Sequence, residues 1–195
     1  MNECARFLFA LLLASLIGGC ARSDESPPLE GATMGGPFTL TDQSGRRVSE
    51  RDFAGKYRLV YFGFTFCPDV CPTDLATIAA GLRRFEASDP GRAARVQPIF
   101  ITVDPARDTP DVLRRYVANF HPRLIGLTGS EAEIADVARR YRIFYERGEP
   151  NAAGGYTVNH SEIIVLYGPE GEPIAPVPHD RGAEAVAAEL ERWVR

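Results

Sequence analysis

An α/β fold, with a central mixed β-sheet flanked by helices, is what this sequence predicts, and three observations carry the prediction. Runs rich in aromatic and β-branched residues recur at Tyr57–Phe64, Val96–Val103 and Ser161–Tyr167, as buried strands require. Segments of helical period lie between and after them. Strand and helix alternate over roughly 150 residues, which favours one sheet covered on both faces rather than two domains. The 195 residues, 45% of them hydrophobic, are enough for a single core.

The first stretch of the chain is an address rather than a fold element. Residues 7–17 are apolar but too few to span a bilayer comfortably, and match the core of a signal peptide. Leu16-Ile17-Gly18-Gly19-Cys20 has the form of a bacterial lipobox, with small residues before a cysteine that becomes lipidated. The expectation is a lipoprotein-type signal peptide over residues 1–19, lipid on Cys20, a flexible Pro/Gly/Ser-containing tether over 20–37 and a domain over 38–195. An uncleaved signal anchor is the alternative. Either places the domain on the periplasmic side of a bacterial cell envelope, held to a membrane.

Along the domain, Tyr57-Arg58-Leu59-Val60-Tyr61-Phe62-Gly63-Phe64 is the first core strand, and a helix follows from about Pro72 to Ala87. Val96–Val103 is the second strand. Asp108-Thr109-Pro110 offers capping side chains and a fixed dihedral before a helix over Asp111–Phe120, and Ser130 with Glu133 does the same for Glu131–Arg142. The same Asp104–Pro110 loop could instead form a partner surface. Ser161–Tyr167 is the third strand, turned by Gly168-Pro169-Glu170-Gly171 towards another near Pro173, and a final helix runs from Gly182 to Val194.

Charge narrows the class of partner. A net charge of −4, from 22 basic and 26 acidic residues without a run of one sign, argues against nucleic acid and offers no polybasic membrane patch. Of four cysteines, only Cys67 and Cys71 fall in the domain. They stand where the first strand gives way to the first helix, at the positive end of the helix dipole, which favours thiolates. Their offset lets both side chains face one way, to close a disulfide or to grip one metal ion. A purely stapling bridge is the weaker reading, since so small a loop constrains the unfolded chain little.

Three histidines are present. His121 and His179 lie in turn-like contexts and read as surface residues. His160, in Val158-Asn159-His160-Ser161, immediately precedes the third strand, which should lie beside the first. An imidazole delivered there joins two sulfurs in a soft donor set that suits copper(I) and also accepts zinc.

Three blocks, Tyr61-Phe62-Gly63-Phe64-Thr65-Phe66-Cys67-Pro68-Asp69-Val70-Cys71-Pro72, Val103-Asp104-Pro105-Ala106-Arg107-Asp108-Thr109-Pro110 and Val158-Asn159-His160-Ser161, together resemble the Sco/SenC/PrrC family of copper-binding assembly factors for cytochrome c oxidase. The resemblance covers about residue 30 onward. It implies a thioredoxin-like three-layer fold, copper(I) or copper(II) bound by Cys67, Cys71 and His160, and action on the dinuclear copper (CuA) site of oxidase subunit II. Another periplasmic copper carrier or a thiol reductant would be a further partner. Asn159 stands where family members often carry aspartate, which puts in question any part that residue plays in orienting His160.

Copper delivery by ligand exchange is therefore the expected function. The same pair could act as a dithiol–disulfide reductase that keeps the cysteines of subunit II reduced. A copper buffer or sensor serving no oxidase would share the fold. A peroxidase is disfavoured, because neither cysteine has the threonine three residues before it that would position a peroxide.

Overall fold

The structure, a computed structural model, describes residues 25–150 and 155–195. Cys20, the expected signal peptide and the beginning of the expected tether lie outside the described residues. Among those described, no helix is long and apolar enough to cross a membrane.

The elements run β1 (Thr39–Asp42), β2 (Arg47–Ser49), β3 (Tyr57–Gly63), α1 (Val70–Ser88), α2 (Pro90–Ala93), β4 (Val96–Thr102), α3 (Pro110–Val117), β5 (Ile125–Thr128), α4 (Glu131–Arg140), β6 (Tyr145–Arg147), β7 (Val158–His160), β8 (Ile164–Tyr167), β9 (Pro173–Pro176) and α5 (Ala183–Trp193). Seven strands form one sheet in the order β2-β1-β5-β4-β3-β8-β9, and β6 pairs with β7 alone. β3, β4 and β5 are parallel, while β8 runs antiparallel to β3 and β1 antiparallel to β5. The sheet is thus mixed, and the three core strands expected from sequence stand side by side at its centre.

Every residue of β3 is buried, because the sheet is covered on both faces. Tyr61 and Phe100 look towards α1 and α3: the Tyr61 hydroxyl donates to Asp74 Oδ2 at 2.9 Å, and Phe100 packs on Tyr116 with ring centroids 5.6 Å apart. On the opposite face Phe62 meets Tyr141, just past α4, at 5.6 Å. A Cβ on Gly126 would come within 3.0 Å of Val117, so a glycine lets α3 lie close on β5. That strand, short and interrupted by glycine, carries little sequence signal. α3 begins one residue earlier than expected, with Pro110 at its first position and Thr109 accepting from the Val112 N–H, and it ends at Val117 rather than Phe120.

Two expectations are corrected. Much of the segment assigned to the tether is packed: the Leu29 N–H donates to Ile174 O on β9 and the Gly35 N–H to Arg140 O, both at about 3 Å. Leu29 and Met34 pack on the core, so this part of the chain gains buried apolar area and belongs to the domain. The segment around His160 is also not the lead of the third core strand. It is half of a separate two-stranded ribbon, Tyr145 opposite His160 and Arg147 opposite Val158.

Candidate metal centre

The carboxyl ends of β3 and β4 and the β6–β7 ribbon meet at one rim, and the predicted residues gather there. β3 ends at Gly63, where a side chain is excluded: a Cβ would lie 2.9 Å from Phe100 and 3.2 Å from Cys71 Sγ. The chain then turns through Phe64-Thr65-Phe66 into Cys67 and enters α1 at Val70. The first turn of a helix has N–H groups without helical partners, and here the Cys71 N–H donates to Cys67 Sγ at 3.4 Å. Asp69, at the N-cap position, makes no side-chain cap, so the sulfur stands in for the usual oxygen.

The two thiols are free and unequal. Cys67 is 8% exposed and Cys71 fully buried. Burial pushes the Cys71 thiol up to about 12, partly offset by the Phe64 backbone and reinforced by Cys67 beside it. The helix dipole does not make this sulfur a ready thiolate, because desolvation outweighs it.

His160 arrives from the ribbon. Its Nε2 lies 3.4 Å from Cys71 Sγ, and its Nδ1 lies 2.9 Å from the Ser161 carbonyl, an acceptor only. Nδ1 therefore carries the hydrogen and the Nε2 lone pair points at the sulfur. Phe64 stands edge-on to the imidazole at 5.9 Å and 89°, and Tyr61 at 6.3 Å. Asn159 points to solvent opposite Glu146, so orientation of the ring falls to the Ser161 carbonyl instead of residue 159.

The sequence-predicted trio is thus brought to one place without being closed. Cys71 and His160 are in contact, while Cys67 Sγ is engaged by the helix terminus. No three His, Cys, Asp or Glu side chains among the described residues are clustered tightly enough to hold a metal ion. The donor types, two sulfurs and a neutral nitrogen already fixed in its tautomer, fit a soft monovalent metal.

Several buried or half-buried polar residues had no clear signal in sequence. Asp108, fully buried, accepts from the Thr65 N–H at 2.9 Å, the Thr65 hydroxyl at 2.6 Å and the Thr102 hydroxyl at 2.6 Å. Burial raises its pKa, opposed by these same hydrogen bonds. It anchors the loop before Cys67, so the Asp104–Pro110 segment does more than cap a helix. Asp74, behind Cys71, accepts the Tyr61 hydroxyl and has His179 Nε2 at 3.5 Å from its other oxygen. His179, read from sequence as a surface residue, is half-buried against Asp74. His121 is buried, not surface: Nδ1 accepts the Arg123 N–H at 3.2 Å and Nε2 faces Glu86 at 3.3 Å.

Comparison with known proteins gives a consistent set of relatives. The SCO1/SenC family model matches residues 26–195. The mitochondrial protein SCO2 homolog of Bos taurus is 45% identical over 157 residues, 80% of this chain and 58% of that protein. The chain spans 42% to 62% of the length of such curated relatives, which are mitochondrial. Among solved structures, copper-bound ScoI of Bradyrhizobium japonicum superposes with a TM-score of 0.74 at 42% identity, covering 82% of this chain and 99% of that one. Copper-bound ScoI of Arabidopsis thaliana gives 0.76 at 39%, covering 82% and 96%.

Proposed function

Since the chain belongs to the SCO1/SenC family, matched over residues 26–195, we propose that it carries copper to the dinuclear copper site of cytochrome c oxidase subunit II, with Cys67, Cys71 and His160 as the ligands. The single observation that supports this most is the contact between His160 Nε2 and Cys71 Sγ at 3.4 Å, with Nδ1 tied to a carbonyl. Copper is cargo here. Loading replaces the thiol protons of Cys71 and Cys67 by the metal, the protons passing to solvent, and turns Cys67 from the helix terminus to the same ion; the incoming cysteines of a partner then displace these ligands one at a time, giving up their own protons as the released thiolates take protons up. The relatives with solved copper complexes support copper over zinc. We place the protein on the periplasmic side of a bacterial envelope, tethered through lipid on Cys20.

The test is anaerobic titration of the reduced full-length protein with copper(I) against a competing chelator. One tight equivalent is expected for the parent, lost in Cys67→Ser and Cys71→Ser and weakened ten- to a hundredfold or more in His160→Ala. Unchanged stoichiometry in all three variants would remove the ligand assignment. The dithiol reductase is the second reading, favoured by the two free thiols placed side by side; it requires thiol exchange with a subunit II disulfide to survive in His160→Ala.

A further inference from the structure

The histidine reaches the thiols on an element that the main sheet does not hold. β6 and β7 pair only with each other, so no ladder of strand hydrogen bonds fixes where His160 sits relative to α1. Something else must set the distance between imidazole and sulfur.

The segment between β4 and α3 touches both arms. On the histidine side, Tyr156 lies two residues before β7. Its hydroxyl donates to Asp104 Oδ1 at 2.8 Å, its carbonyl accepts from Arg107 Nη1 at 3.0 Å, and its ring lies 3.7 Å from the Arg107 guanidinium carbon. On the thiol side, the same guanidinium is 4.8 Å from the ring of Phe66 and 5.8 Å from that of Phe64, the residues leading into Cys67. Phe64 is in turn the ring that stands edge-on to His160. Arg107 Nε is paired with the buried carboxylate of Asp104, and its Nη2 is buried with no hydrogen-bond partner among the described residues. A guanidinium held by one carboxylate, with a nitrogen unpaired among aromatic rings, is stabilised by those π faces and is costly to move.

Building on the ligand assignment above, we propose that Arg107 is the positioning residue that sets the His160 imidazole against the thiol pair, by stacking at once on Tyr156 at the root of the ribbon and on Phe66 in the cysteine loop. It is not one of the proposed copper ligands and acts through its neighbours. A lysine would keep the charge and the Asp104 pairing but not the flat stacking surface, so Arg107→Lys separates positioning from charge.

Two readouts test this in the reduced, metal-free full-length protein and in its copper(I) complex. NMR should show a cross-relaxation contact between the His160 and Phe64 ring protons in the parent, weakened in Arg107→Lys and lost in Arg107→Ala, with Phe62–Tyr141 contacts in the core unchanged. Copper(I) affinity should fall about ten- to a hundredfold in Arg107→Ala, and Arg107→Ala should add nothing once His160 is already alanine. Retention of the ring contact and of affinity overturns the proposal; so does a loss in Arg107→Ala that adds fully to that of His160→Ala, because Arg107 would then act elsewhere. If Arg107→Ala does not fold, the lysine variant decides by the same criteria. Should His160→Ala bind copper like the parent, the ligand assignment fails by itself, while the metal-free ring contact still decides the role of Arg107.

Discussion

At the residue scale the inner sulfur controls the chemistry. Because burial holds the Cys71 thiol up at about 12, it is protonated at neutral pH, and copper must displace that proton to bind. The sign follows: each unit of rising pH lowers the cost of removing the proton, so the apparent copper affinity rises by about tenfold per unit for this one group, up to its own pKa. Competition titrations from pH 6 to 9 should show a slope of at least one in log affinity against pH, and a flat profile would mean that Cys71 is not a ligand. The two cysteines and the histidine were legible in the sequence because each is a rare reactive side chain at the end of a strand or the start of a helix. Their surroundings were not. The buried carboxylate of Asp108 collects donors from Thr65 and Thr102, and Arg107 collects three rings from two segments; such partners are chosen by the folded topology and leave no local periodicity. The inequality of the sulfurs was missed for the same reason, since depth is a property of packing.

At the element scale the long α1 and the C-terminal α5 meet through a glycine. A Cβ on Gly81 would lie 2.4 Å from Val186 Cγ1 and 2.9 Å from the Ala183 carbonyl. Glycine to alanine inside an ordinary helix stabilises by about 1 kcal/mol, but here the methyl must push two helices apart, at about 1–3 kcal/mol. Gly81→Ala should therefore be less stable than the parent in urea, with copper affinity unchanged; a gain in stability would show that the interface has room to spare. Core strands and long helices were readable from their aromatic and β-branched runs and their 3.6-residue period. The four-residue β5, broken by Gly126, and the three-residue strands of the ribbon were not, because elements that short are defined by their partners rather than by their own pattern.

For the whole molecule, the amino-terminal approach to the domain is structural. Leu29 adds a backbone hydrogen bond to edge strand β9, and Leu29 with Met34 covers apolar surface that would otherwise face water. A chain starting at residue 38 should lose about 3 kcal/mol, the worth of two partly buried aliphatic side chains at about 1.5 kcal/mol each, seen as a lower urea midpoint at the same slope. Equal midpoints would return the segment to the role of a tether. Its composition of prolines, glycines and acids resembles a linker, and only the two apolar residues spaced within it mark the part that packs.

The unequal depth of the two sulfurs also gives the site a direction. A nucleophile arriving from solvent meets Cys67 first, while Cys71 is walled in by Gly63, Tyr61 and the body of α1. If the proposed copper transfer operates, exchange would proceed stepwise from the rim inward. The outer bond would open a coordination position for the acceptor, the inner one would keep hold until the acceptor had closed around the ion, and the cargo would cross between proteins without passing through water.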